Sequence, residues 1–208
     1  MSTTKIYVIL DKSGSMEECR NDTIGGFNSF VRKQREEKTD IVLLSLIQFD
    51  HEYQIIYENK NINDVENLTT KTFEPRGTTA LLDAIGRTIN DIQQWDGENI
   101  IVVIITDGEE NESKRFKKDQ INQMIKEKKE KGWEFVFLGA NQDAIKEAEN
   151  LGIGSNSALT YSTDACIEAF DSLSEAISRS RETPMKALSF TPEERIKSVT
   201  KKFYKYIV

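Results

Sequence analysis

Apolar and polar positions fall in alternating blocks along this chain, and the blocks read as strands and helices in turn. Ile6-Tyr7-Val8-Ile9-Leu10 is an unbroken apolar run that stops at Asp11, the pattern of a strand covered on both faces. Past the polar stretch 12–18, Ile24, Phe27, Phe30 and Val31 recur at helical spacing and predict a helix over about 20–37, weakened by Gly25 and Gly26. Residues 41–49 predict a second buried strand. Only Asp50-His51-Glu52 separates it from a third over 53–57, so these two form a hairpin and the third is an antiparallel edge strand. Residues 58–78 are polar and irregular. Leu81, Leu82, Ile85, Ile89 and Ile92 then line one helical stripe, with Thr79 as the expected N-cap. Residues 100–105 form the most apolar strand, expected at the centre. Helices over 114–131, 142–150 and 164–181, and strands over 135–138 and 158–161, follow. The alternation predicts an α/β fold: a Rossmann-like, doubly wound, mostly parallel central sheet with one antiparallel edge strand and helices on both faces.

In such sheets ligands bind beyond the carboxyl ends of the strands. Three loops there carry chemistry. The first reads Asp11-Lys12-Ser13-Gly14-Ser15, the second Arg76-Gly77-Thr78-Thr79, and the third Thr106-Asp107-Gly108-Glu109. Turn formation and helix capping explain each one alone. Together they offer Asp11, Ser13, Ser15, Thr79 and Asp107 at one sheet edge. Hydroxyl and carboxylate oxygens are hard ligands that suit Mg²⁺ or Mn²⁺.

With these residues the sequence resembles the von Willebrand factor type A domain over about residues 4–181. That family's metal-ion-dependent adhesion site uses a D-x-S-x-S loop, a threonine before a helix and an aspartate after a central strand. The resemblance lands on Asp11, Ser13 and Ser15, on Thr79 and on Asp107. Gly77-Thr78-Thr79-Ala80-Leu81-Leu82-Asp83-Ala84 matches a family pattern in which a second glycine usually stands where Thr78 is, so Thr79 is the ligand candidate and Thr78 the alternative. Gln48-Phe49-Asp50 looks like the family's second-strand ending. The resemblance implies that Ser13, Ser15 and Thr79 touch the metal, while Asp11 and Asp107 neutralise charge and orient bound water. It further implies a binding module: an Asp or Glu of a protein partner completes the coordination sphere. Glu109, Asn141 and Gln142 are candidate rim residues for partner choice, against a plainer reading as caps and solvated side chains.

Two other classes compete. A metal-dependent hydrolase could use hydroxyls, aspartates and Mg²⁺, but the loops offer no base beyond the two aspartates and no phosphate clamp. A serine hydrolase fails because His51 is the only histidine and no G-x-S-x-G elbow occurs. No enzymatic activity is therefore expected. The third reading is a regulatory or adaptor subunit of a separate ATPase machine, as some intracellular family members are. The pair Gly152-Ile153-Gly154 lacks the context of a dinucleotide fingerprint.

Composition narrows the setting. The chain has 208 residues, two cysteines (Cys19 and Cys166) and net charge −7. That excludes a disulfide scaffold and disfavours a zinc finger, and both cysteines are expected to be reduced and to serve packing. No apolar run is long enough for a membrane span and no leader or lipidation signal is visible, so a cytoplasmic location is expected. The charge is uneven: residues 183–208 carry +4, leaving −11 on residues 1–182. An acidic body argues against nucleic acid as a partner. The expected organisation is a metal-binding domain over 1–182 and a basic amphipathic helical extension over 183–208. In the extension, Thr191-Pro192-Glu193-Glu194 is a strong helix start, and Ile196, Val199, Phe203 and Ile207 share a face. Docking on the chain's own body, binding a partner or second copy, and lying on an anionic membrane are its three competing roles.

Overall fold

A sheet whose strands are apolar at nearly every position needs cover on both faces, and the fold supplies it. The structure, a computed structural model, describes residues 2–37, 40–140, 143–182 and 187–199. Six strands, β1 (Thr3–Asp11), β2 (Ile41–Phe49), β3 (Tyr53–Asn61), β4 (Glu98–Thr106), β5 (Glu134–Ala140) and β6 (Ala158–Tyr161), lie in the order β3-β2-β1-β4-β5-β6. All pairs are parallel except β2–β3, the hairpin at the edge. Among the described residues the α-helices are α1 (Arg20–Glu36), α2 (Leu81–Asp91), α3 (Lys118–Glu130), α4 (Ala144–Asn150), α5 (Cys166–Glu182) and α6 (Pro192–Val199).

The side-chain period of two divides each strand between two cores. Ile6, Val8 and Leu10 of β1 and Ile101, Val103 and Ile105 of β4 pack with α1 and α5. Tyr7 and Ile9, with Ile100, Val102 and Ile104, pack with α2, α3 and α4. Each such buried side chain is worth roughly 1.5–3 kcal/mol, which is why β1 and β4, most apolar, take the middle. Gly26 has a packing role: a Cβ there would stand 2.4 Å from Phe170 Cδ2, so the glycine lets α5 close onto α1.

Two elements start later than their apolar pattern predicts, for a common reason. Helix α2 begins at Leu81, with Ala80 in the cap position and no side-chain cap. Thr79 is not the N-cap. The first-turn donors are satisfied across space instead, Leu82 N–H by Glu110 Oε2 at 2.9 Å and Asp83 N–H by Ser113 Oγ at 3.0 Å. In return Asp83 accepts the backbone N–H groups of Lys114, Arg115 and Phe116, each at 2.9 Å. That exchange holds 114–117 out of helical form, so α3 starts at Lys118 rather than 114.

At the far edge, residues 187–199 lie on the body. Thr191 and Glu194 form a capping box, Glu194 N–H to Thr191 Oγ1 at 3.2 Å and Thr191 N–H to Glu194 Oε2 at 2.7 Å. Glu194 also binds Arg179 of α5 through both oxygens, at 2.6 and 2.9 Å. Arg195 donates to the carbonyls of Ala158 and Ser155, both at 2.8 Å, and of Asn156 at 3.1 Å. Phe203 and Ile207 lie outside the described residues. Among the described residues no helix is long and apolar enough to cross a membrane.

Candidate metal centre

Parallel pairing puts the carboxyl ends of β1 and β4 side by side, and their loops rise from the same edge. Asp11, the last residue of β1, is fully buried. One carboxylate oxygen accepts the Ser13 N–H and the other the Thr106 hydroxyl, both at 2.6 Å. Asp11 therefore stands behind the loop and shapes it. Ser13 Oγ and Ser15 Oγ lie 3.2 Å apart, and Ser15 donates to Asp107 Oδ1 at 2.7 Å.

The third loop is drawn in by β2. Buried Asp50 binds Arg76 Nε at 2.9 Å through its side chain and accepts the Ala80 N–H at 2.9 Å through its carbonyl. Gly14 N–H meets Gly77 O at 3.2 Å, and Gly77 adopts φ +69°, where a side chain would be strained and would strike His51. Asn111 then pins Thr79 twice, accepting its N–H through Oδ1 at 2.9 Å and donating its own N–H to Thr79 O at 3.1 Å. Thr79 is 2% exposed, whereas Thr78 is exposed.

Three hydroxyls converge as a result. A Cβ placed on Gly108 would sit 3.1 Å from Thr79 Oγ1, 3.6 Å from Ser15 Oγ and 3.8 Å from Ser13 Oγ. This cradle fits a small hard cation. Neighbouring oxygens around an octahedral Mg²⁺ are about 3 Å apart, close to the spacing of the two serines. The charge fits as well. Burial pushes the Asp11 carboxyl up to about 6, with the Thr106 and Ser13 hydrogen bonds offsetting part of the effect. Burial also raises Asp107, against the bond from Ser15. Among the described residues neither forms an ion pair, so a bound cation is the natural counter-charge.

The structure thus brings together Asp11, Ser13, Ser15, Thr79 and Asp107. Glu109 is exposed beside them, while Asn141 and Gln142 lie outside the described residues. Glu110 and Asn111 serve as acceptors for the α2 turn and Thr79. Thr106 was not anticipated: buried, it donates to Asp11 and accepts the Gly108 N–H at 3.2 Å, tying two loops together. Its one sequence signal was a hydroxyl ending an otherwise apolar strand. A second group, Asp50, His51 and Glu52, has ligand atoms within 4.8 Å of one another. Arg76 binds both carboxylates, and Lys12 Nζ is 3.7 Å from Asp50, so protein cations already serve that cluster.

Known structures share this fold at low identity. The von Willebrand domain of the type V pili tip protein Mfa5 from Porphyromonas gingivalis aligns with TM-score 0.66 and 12% identity, covering 89% of this chain and 98% of that one. The pilus adhesin SpaC from Lactobacillus rhamnosus aligns with TM-score 0.68 and 15% identity, over 85% of this chain and 30% of that one. Proximal thread matrix protein 1 from the mussel byssus, in a structure with a zinc-occupied MIDAS motif, aligns with TM-score 0.61 and 16% identity, over 87% and 45%. The chain spans about half the length of the mussel chains it matches, 48% in another crystal form. Comparison with curated proteins returned no match. The family model for the von Willebrand factor type A domain matches residues 5–176, a span that takes in all three loops and all of the sheet but the first two residues of β1, and the chain belongs to the von Willebrand factor type A family.

Proposed function

We propose that this chain is a divalent-metal-dependent protein-binding module, without enzymatic activity, in which Ser13, Ser15 and Thr79 hold Mg²⁺ or Mn²⁺ and a partner's Asp or Glu completes the site. The observation that carries the reading is the convergence of three hydroxyls beside two carboxylates, buried Asp11 and half-buried Asp107, that form no ion pair among the described residues. When bound, the cation supplies an electrophilic position for an oxygen ligand. Asp11 orients the loop through the Ser13 N–H, and Asp107 orients Ser15. Two carboxylates balance one divalent charge, which leaves a partner carboxylate attractive to the site. Hard donors favour Mg²⁺ or Mn²⁺; the zinc-occupied motif of the mussel protein supports metal binding by this type of loop set. Hydrolysis is disfavoured because the one histidine lies against Gly77 and Asp50, 3.6 Å from the latter, and makes no hydrogen bond to either serine.

The test is thermal unfolding with Mg²⁺ or Mn²⁺ against chelator. The wild type is expected to gain stability with metal, and Asp11→Ala with Asp107→Ala to lose the gain. An unchanged shift in the double variant refutes the site. Capture of partner proteins that is identical in Mg²⁺ and chelator refutes metal-bridged recognition. Metal-dependent phosphatase or esterase turnover lost in Asp11→Ala would replace the binding reading by an enzymatic one.

A further inference from the structure

The chain has two cysteines, remote in sequence, and the fold sets them against each other behind the metal loop. Cys19 ends the 3-10 turn Gly14–Cys19 and occupies the N-cap position of α1; Cys166 is the first residue of α5. They are 2% and 1% exposed. Thr23, one turn along α1, reaches both: its Oγ1 lies 3.6 Å from Cys19 Sγ and 3.5 Å from Cys166 Sγ. Each thiol is the largest influence on the ionisation of the other, lowering the pKa of Cys19 and raising that of Cys166. The Tyr161 hydroxyl in the same core is buried without a hydrogen-bond partner among the described residues.

We propose that Cys19 and Cys166 are a redox modification site: they form a reversible intramolecular disulfide by exchange with a low-molecular-weight disulfide such as oxidised glutathione. The Cys19 thiolate attacks one sulfur of the reagent, forms a mixed disulfide and releases one small thiol. The Cys166 thiolate then attacks Cys19 Sγ, forms the protein disulfide and releases the second small thiol. The protein loses two electrons and two protons, and the reagent gains them. Both cysteines are buried in the core, so the reagent reaches them when the start of α1 or α5 opens locally, short of global unfolding. The product staples α1, and the metal loop before it, to α5. Closing so long a loop restricts the unfolded chain and raises stability. The inference stands independently of metal binding.

The test uses the full chain, reduced and then brought to equilibrium with excess oxidised glutathione, with and without urea below the unfolding midpoint. Samples are acid-quenched, denatured, alkylated, and read by intact mass and peptide mapping. The expected product has lost two hydrogens, takes up no alkylating label, and carries a Cys19–Cys166 crosslink. Its unfolding midpoint lies above that of the reduced protein. Cys19→Ser and Cys166→Ser should form no such crosslink and show no midpoint gain. Two free thiols at equilibrium even in urea, a stable glutathione adduct, or a disulfide between chains overturns the proposal.

Discussion

Gly108→Ala isolates the cation cradle from the fold. The added Cβ would stand 3.1 Å from Thr79 Oγ1, tight but relieved by a small movement of one hydroxyl, and 3.6 and 3.8 Å from the two serine oxygens, ordinary contact distances. Gly108 does not adopt a positive φ, so an alanine there is not strained by its backbone. The fold should therefore lose at most about 1 kcal/mol, the scale of a modest overpacking. The methyl group nevertheless occupies the space on which all three hydroxyls converge, which the cation and its waters need. At a metal concentration one hundred times Kd, binding stabilises the wild type by about 2.7 kcal/mol, or about 5–10 °C in midpoint for a domain of this size. Thermal unfolding in chelator and in Mg²⁺ separates the two effects. Wild type and Gly108→Ala should melt within a few degrees of each other in chelator, and only the wild type should rise with Mg²⁺. A variant that keeps the whole Mg²⁺ shift would show that the hydroxyls do not hold the ion.

Three further outcomes follow from contacts outside the cradle. Arg181→Ala should destabilise by about 3–5 kcal/mol in chemical denaturation, because the wholly buried guanidinium binds Glu37 at 3.0 Å, Asp40 at 2.6 Å and Gln34 at 2.7 Å, joining α5 to the end of α1; a loss below 1 kcal/mol would contradict this. Burial raises the Asp83 carboxyl, but three backbone N–H donors outweigh it and the net pKa is lowered, so its contribution is present above the ordinary carboxylate range and lost as pH falls through the lowered value. Asp83→Ala should cost about 1–2 kcal/mol at neutral pH and flatten the acid limb of a stability-against-pH curve, with amide exchange at 114–116 accelerated. Ending the chain at Met185 should lower the midpoint sharply, since Leu188 and Phe190 are 3% and 6% exposed within the α1–α5 core and are worth roughly 1.5–3 kcal/mol each; an unaltered midpoint would make 187–199 a mere appendage.

Much of the site was legible because its residues are punctuation. Asp11 and Asp107 are the polar residues that follow apolar runs, and a parallel sheet carries such positions to one edge. The capping box at Thr191 was equally plain, since it needs only residues three apart. Thr106, by contrast, reads as one more strand residue until β1 and β4 pair, and Cys19 and Cys166 read as two unrelated packing residues until α1 meets α5.

Local order along the chain was enough to determine the strands, most helices, the hairpin edge and the loops that carry hydroxyls and carboxylates. Those features follow from burial period and turn chemistry, which act over a few residues. Only the tertiary structure decided which donor satisfies which acceptor across loops. It freed Thr79 from a capping role by supplying Glu110 and Ser113 to α2, delayed α3 by spending the 114–116 N–H groups on Asp83, and buried Leu188 and Phe190 in the body's core. The physical reason is that an unpaired buried N–H or carboxylate costs more than local propensity can repay, and its partner is whatever the packed fold brings within 3 Å.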